Sequence, residues 1–220
     1  MSNTSILEKL ALETGTIAGD ANEEQDLEVA VANVVALPLF VGLTMAHISV
    51  INTAQQAQQV LPMLLACEVL GFDTESQPTF IKGQKSTGPH LIQFATTSHA
   101  YLFPLVHADA AIAEVTQILT APKVLKVGFG LRNDLRALQN KYSLHCAPTV
   151  DLARALRQGK KPEVGAKTGV ARILQAHLHK PKSVTTSNWA RAQLSPQQIL
   201  YAANDAYAAL MVYQRWLELS

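Results

Sequence analysis

The chain has 220 residues, of which 48% are hydrophobic and 16% are charged, and its formal net charge is +1. This composition supplies enough apolar material for a packed core and excludes a chain that is disordered throughout. The overall charge indicates no partner by itself. We therefore expect one globular domain, with a tail if part of the chain lies outside the core.

Charge is divided unevenly along the sequence. Residues 1–46 carry seven acids and one base, whereas residues 47–220 carry 17 bases and ten acids. This division predicts an acidic extension, assigned to residues 1–36, and a domain over residues 37–220 that meets an anionic partner. An ordinary solvated surface is the alternative that charge alone leaves open.

Two features bear on the cellular compartment. Cys67 and Cys146 are too few and too far apart for a disulfide framework or a zinc cluster, and no signal segment opens the chain, so a cytoplasmic location is predicted. Residues 29–67 contain no charged side chain, but asparagine, proline and glycine interrupt this stretch and no basic residue flanks it. We therefore expect no membrane span, although a membrane tether or scaffold within residues 1–46 is an alternative.

The first half of the domain predicts mainly strands. Residues 47–52 alternate like a strand, and Thr53 is placed to cap the helix that follows. Three further strands are predicted at residues 69–75, 90–96 and 99–105, and they could pair as an antiparallel meander.

The second half predicts an alternation of strand and helix and then mostly helices. A helix opening near Asp109 is followed by a buried strand at residues 123–129 and a helix at residues 131–141. Such alternation is typical of an α/β protein. The remaining segments are predicted as helices at 151–158 and 164–178, a loop at 180–193, and a last helix capped by Ser195 with Pro196 at its first position.

Three of these segments carry candidate functional acids. Asp73 and Glu75 are two residues apart in a predicted strand, so both side chains point to one face and need a cation nearby. Tyr201 and Asp205 are four apart in the last helix and share a face within an apolar stretch. Asp134 lies in the first turns of a helix, where the helix dipole also favours an acid. Taken separately, each segment has an ordinary structural explanation.

Taken together, the segments GFDTE (71–75), KVGFGLRNDLRAL (126–138) and YAANDAYAAL (201–210) resemble the three motifs of the DEDDy 3′-5′ exonuclease family. The tyrosine four residues before the last aspartate, with Leu200 where the histidine branch of that superfamily has its histidine, selects the tyrosine branch. Residues 182–207 are most similar to the exonuclease domain of the Werner syndrome protein and to stand-alone bacterial forms, with ribonuclease D a more distant likeness.

The resemblance implies a ribonuclease H-like α/β fold, in which a central mixed sheet is flanked by helices and the site lies at the ends of its strands. It also implies two divalent ions, Mg²⁺ or Mn²⁺, about 4 Å apart. By this likeness Asp73 would bridge both ions, and Glu75 and Asp205 would complete the site of the ion that activates water. Asp134 would hold the second ion largely through its waters, and Tyr201 would orient the attacking water.

Lys182 and Ser183 match a Lys-Ser pair in the loop of the family and are expected to meet the phosphate backbone, a solvated lysine being the alternative. The predicted function is metal-dependent release of nucleoside 5′-monophosphates from the 3′ end of DNA or RNA, with no obligate protein partner. The alternative is a noncatalytic nucleic-acid-binding module on the same fold. The presence of all four acids and the tyrosine argues against that alternative.

Overall fold

The computed structural model describes residues 37–79, 86–105, 111–160 and 162–220, and within it Pro38–Ser220 forms one compact unit. The acidic extension assigned to residues 1–36 lies outside the described residues, and so does Asp109. The domain boundaries and the helix start near Asp109 therefore stay predictions.

The described chain enters the fold through a 3₁₀ helix (Met45–His47), strand β1 (Ile48–Val50) and helix α1 (Ala54–Leu65). Thr53 caps α1 as predicted: its hydroxyl accepts a hydrogen bond from the Gln56 backbone, while the Gln56 side chain accepts one from the Thr53 backbone. Pro62 lies inside α1, which ends one turn later.

The predicted meander is confirmed. Strands β2 (Val69–Glu75), β3 (Leu91–Ala95) and β4 (Ala100–Pro104) follow one another and pair antiparallel. In this register Asp73 lies opposite Gln93, and Gln93 lies opposite Leu102. Asp73 and Glu75 therefore share one face with Gln93, because alternate residues of a strand point the same way.

In the second half of the domain, the short helices and strands differ from the prediction. Its elements are α2 (Ile112–Thr120), β5 (Leu125–Gly128), α3 (Arg132–Tyr142), β6 (Thr149–Asp151), α4 (Leu152–Ala155), α5 (Ala166–Leu174), α6 (Lys182–Thr185) and α7 (Pro196–Leu219). The helix predicted at 151–158 has only four residues: Asp151 belongs to β6 and caps α4 through the Ala153 backbone, and α4 ends at Ala155. The loop predicted at 180–193 contains the single turn α6.

The six strands form one mixed sheet in the order β1-β4-β3-β2-β5-β6. Strands β2, β5 and β6 run parallel, and β1 runs parallel to β4. Helices α1 and α2 cover one face, where Phe72, Phe94 and Ile118 are buried, while α7 covers the other face above Leu91 and Leu102. This arrangement confirms the predicted α/β architecture of a mixed sheet flanked by helices.

Helix α7 packs directly on the backbone of the central strand β2. The turns that cross β2 and β3 present Ala202, Ala203 and Ala206, all fully buried, and a side chain at Gly71 would collide with the Ala206 carbonyl. The Asn204 side chain also accepts a hydrogen bond from the Leu43 backbone N–H at 2.6 Å. The position of α7 over β2 is therefore fixed by backbone contact, and this position sets where Asp205 lies.

None of the helices in the described ranges is long and apolar enough to cross a membrane. From residue 37 onward, the uncharged stretch flagged in the sequence contains the 3₁₀ helix, β1 and α1. The cytoplasmic location stays a prediction.

Candidate active site

The candidate site lies at the edge of the sheet where β2 and β5 end. These two strands are parallel and adjacent, so their carboxyl ends meet at one edge. Asp73 and Glu75 come from the end of β2, and Asp205 comes from α7 above it. One carboxylate oxygen from each residue lies within 4.8 Å of the others, a spacing at which three acids can share a metal ion.

Asp134 joins this cluster from the other face of the sheet. Gly130, in the left-handed conformation with a φ of 69°, turns the chain from β5 into α3. The Thr74 hydroxyl then donates a hydrogen bond of 2.6 Å to the Asp134 carboxylate. Because Thr74 points away from the face that carries Asp73, Asp134 approaches the cluster on the side opposite α7. The structure thus brings together all four acids that the sequence singled out.

The electrostatics of the cluster favour a bound cation. Burial, followed by repulsion from Asp73 and Asp205, raises the pKa of Glu75 to about 10. Burial together with the neighbouring Asp205 and Asp134 raises the pKa of Asp73 well above its usual range. Glu75 therefore holds its proton at neutral pH unless a bound cation takes the place of that proton, and the raised pKa of Asp73 acts in the same direction.

A cation from the protein already lies against the cluster. The Lys180 ammonium is 2.7 Å from an Asp205 carboxylate oxygen and 5.2 Å from the centre of the Tyr201 ring. Burial alone would lower the pKa of Lys180, but the charges of Asp205 and Asp73 outweigh burial and raise it. The ion pair between Lys180 and Asp205 was not predicted, because a single lysine in a predicted loop is not distinguished by any sequence pattern.

Tyr201 lies one turn before Asp205 on α7. Its hydroxyl accepts a hydrogen bond of 3.0 Å from Thr185 of α6, and the ring of Trp189 packs 5.9 Å from its own. Burial and the neighbouring Asp205 raise the pKa of the phenol above its usual range. Tyr201 therefore stays protonated at neutral pH, and it is suited to hydrogen bonding and unsuited to act as a base.

Lys182 and Ser183, which the sequence predicts to contact the phosphate backbone, lie in different environments. Ser183 lines a cavity of about 360 Å³ beside the cluster, together with Leu200, Tyr201 and Asp205. Lys182 is exposed at the start of α6 and does not line this cavity. The short helix therefore places Ser183 in the cavity lining and Thr185 in contact with Tyr201, whereas Lys182 belongs to neither contact.

Gln93 adds an uncompensated polar group to the floor of the site. Its side chain is fully buried on the same sheet face as Asp73, and within the described residues both of its amide atoms lack a hydrogen-bond partner. Leaving a buried amide unpaired costs about 1–3 kcal/mol. The unpaired Gln93 amide thus lowers the stability of the fold directly beside the acidic cluster.

The raised pKa of Glu75 predicts a stability that depends on pH in the absence of metal. Between its usual value of 4.5 and about 10, the folded protein holds a proton that the unfolded chain releases, so the free energy of unfolding falls as pH rises. One such group contributes at most about 1.4 kcal/mol per pH unit. Thermal unfolding in a chelator from pH 5 to 9 measures this slope, which Glu75→Gln is expected to reduce. Equal slopes in both proteins would contradict the prediction.

Comparison with known sequences points to one family. The family model described as 3′-5′ exonuclease matches residues 48–218. The chain is 31% identical over 186 residues to the human protein named exonuclease mut-7 homolog, and this match covers 69% of the chain and 20% of that protein. It is 32% identical over 183 residues to exonuclease 3′-5′ domain-containing protein 2 of Drosophila melanogaster, covering 77% of the chain and 30% of the relative.

The mouse bifunctional 3′-5′ exonuclease/ATP-dependent helicase WRN is 29% identical over 150 residues, which cover 67% of the chain and 11% of that protein. The chain therefore spans between about a tenth and a third of the length of these three relatives.

Solved structures show the same fold. The EXO domain of Nibbler from Aedes aegypti superposes with a TM-score of 0.67 at 22% identity, covering 80% of this chain and 89% of that one. Ribonuclease D of Escherichia coli superposes with a TM-score of 0.65 at 20% identity, covering 77% and 44%. These likenesses confirm the ribonuclease H-like fold expected from the motifs.

Proposed function

Because the chain belongs to the 3′-5′ exonuclease family, we propose that it removes nucleoside 5′-monophosphates one at a time from the 3′ end of a DNA or RNA strand. The observation that carries this proposal is the cluster of Asp73, Glu75 and Asp205 within 4.8 Å, with Asp134 reaching it from the other face of the sheet. Four acids from three separate segments repel one another, so the cluster needs a compensating positive charge. Divalent ions that catalyse phosphodiester hydrolysis would supply that charge.

The donor set fits divalent metal ions of the hard class. Carboxylate oxygens suit Mg²⁺ and Mn²⁺, and the raised pKa values of Asp73 and Glu75 indicate a deficit of positive charge. In our proposal Asp73, Glu75 and Asp205 hold one ion, and Asp73 with Asp134 holds a second. Such ions stabilise charge on the phosphate and lower the pKa of bound water.

The remaining side chains position the substrate and the water. Tyr201, held by Thr185, is proposed to align the attacking water through its hydroxyl. The cavity beside it combines apolar walls, such as Leu178 and Val184, with the polar groups of Ser183 and Tyr201, and we propose that the terminal nucleotide occupies it. Lys180 compensates the charge of Asp205, and we propose that its ammonium contacts the phosphate of the substrate.

Degradation of matched DNA and RNA oligomers tests the proposal. Oligomers labelled at the 5′ end are incubated with Mg²⁺, with Mn²⁺ or with a chelator, and the expected product is a ladder that shortens from the 3′ end only when metal is present. Oligomers with a blocked 3′ end serve as the matched control and should remain intact. Comparison of the degradation rates of the matched DNA and RNA oligomers shows which of the two is the better substrate.

The same experiment tests the alternative function. A noncatalytic binding module would retain oligomers on a filter and leave their length unchanged with every metal. That result, or shortening that begins from the 5′ end, would overturn the proposed activity.

A further inference from the structure

A second groove lies along α3, outside the acidic cluster. It encloses about 810 Å³ between α3 and residues 86–88, the segment that leads into β3. Its lining presents more apolar than polar surface, and its charged and amide groups come from Arg136, Lys141, Asn133 and Asn140. The exposed residues at 133, 136 and 140 recur at the spacing of one helix face, so α3 presents these three side chains to the groove.

The groove carries positive charge and no acid. Arg136 and Lys141 are both exposed, and neither forms an ion pair with any acid in the described ranges. The Lys141 ammonium donates to the Thr87 carbonyl, and the Tyr142 hydroxyl donates to the Pro89 carbonyl at 3.1 Å. The two walls are thus joined near one end, and neither basic side chain is paired with an acid within the described residues.

The position of the groove relates it to the proposed reaction. Attack on a phosphodiester places the water and the leaving 3′-oxygen on opposite sides of phosphorus. In the proposed function the water lies with Tyr201 on the α7 side, so the leaving oxygen lies on the side of Asp134. That oxygen belongs to the strand that remains after cleavage. The remaining strand therefore leaves the site beside Asp134, from which α3 runs about 10 Å to Lys141.

We propose that the α3 groove binds the sugar–phosphate backbone of the strand that remains after cleavage, immediately upstream of the terminal nucleotide. This inference rests on the proposed function and adds to it the path of the substrate. Backbone contacts made by arginine, lysine and asparagine read charge and geometry without reading sequence, so the groove is expected to hold any sequence equally well.

The double variant Arg136→Gln/Lys141→Gln tests this path. Filter binding of a single-stranded 12-mer in Ca²⁺ should weaken by about tenfold or more, as expected for the loss of charged hydrogen bonds. The slope of log affinity against log salt should become shallower by about 1 for each phosphate contact removed. The rate of hydrolysis of the 4-nitrophenyl ester of thymidine 5′-monophosphate, which has no upstream strand, should be unchanged.

Arg172→Gln is the matched control, because Arg172 is exposed on α5 and lines a different cavity. Arg136→Gln alone leaves the contact between Lys141 and Thr87 intact, so it controls for a shift of residues 86–88 in the double variant. This single variant should show part of the loss in affinity for the 12-mer. Unchanged binding of the 12-mer, equal losses on the 12-mer and the ester, or a loss seen only with duplex ends would overturn the proposed path. Failure of the proposed function would look different, because the wild-type protein would then cleave neither substrate.

Discussion

Asp73→Asn is expected to abolish nearly all exonuclease activity while leaving the fold intact. Asp73 is the acid that both proposed ions share, and removal of one preorganised electrostatic group commonly costs about 10²–10³ in rate. Because Asn keeps an oxygen that can accept the hydrogen bond from the Thr74 backbone, the local turn should survive. Oligomer degradation under matched Mg²⁺ measures the loss.

The same substitution should stabilise the protein when metal is absent. Burial and the nearby Asp205 and Asp134 raise the pKa of Asp73, so a neutral side chain removes repulsion that the native state bears. Thermal unfolding in a chelator is the measurement, and the exposed Glu163→Gln, remote from the cluster, is the control. An Asp73→Asn protein that degrades oligomers at the wild-type rate would remove this residue from the mechanism.

Tyr201→Phe is expected to slow cleavage by about 10²–10⁴ with little effect on binding, the range observed for groups that act on a proton or align a nucleophile. The ring would still pack against Trp189, while the hydroxyl held by Thr185 would be gone. Single-turnover rates report the chemistry, and filter binding of a 3′-hydroxyl oligomer in Ca²⁺ reports affinity.

Two variants separate this role from structural support. Tyr207→Phe removes a phenol from the same helix, where the ring packs against Phe40 away from the acids, and should leave the rate unchanged. Thr185→Val keeps the Tyr201 hydroxyl but removes its donor, so an intermediate defect is expected. A large loss of oligomer affinity in Tyr201→Phe would instead make the residue a binding or folding element.

The sequence predicted the long elements and the acids for identifiable reasons. Strand β2 coincides with a short apolar run that ends in acids, and α7 begins with a Ser195 cap followed by a proline. Both elements therefore lie where the sequence predicts them. Strand β6, by contrast, has only three residues, and its pairing with β5 comes from tertiary contact that no local pattern records. The prediction for its neighbour α4 began one residue early, because Asp151 ends the strand and caps the helix, and it continued three residues beyond the observed end at Ala155.

The site itself was predictable only in part. Spacing aligned Asp73 with Glu75 in a strand and Tyr201 with Asp205 in a helix, and Asp134 was identified only because the three segments together resemble the motifs of the family. Lys180 and Gln93 join the site through the packing of α7 on the sheet, and neither residue is distinguished by its sequence neighbours. Non-local contacts of this kind are available only from the three-dimensional structure.

The contact between Trp189 and Tyr201 gives the site an optical property. The protein has two tryptophans, and Trp189 is 1% exposed, with its indole N–H directed at the Thr185 carbonyl at 3.4 Å. The other, Trp216, packs with Tyr213 near the end of α7. We therefore expect the intrinsic emission of Trp189 to respond to changes around Tyr201. Without any added label, the colour and intensity of that emission will follow events at the acidic cluster.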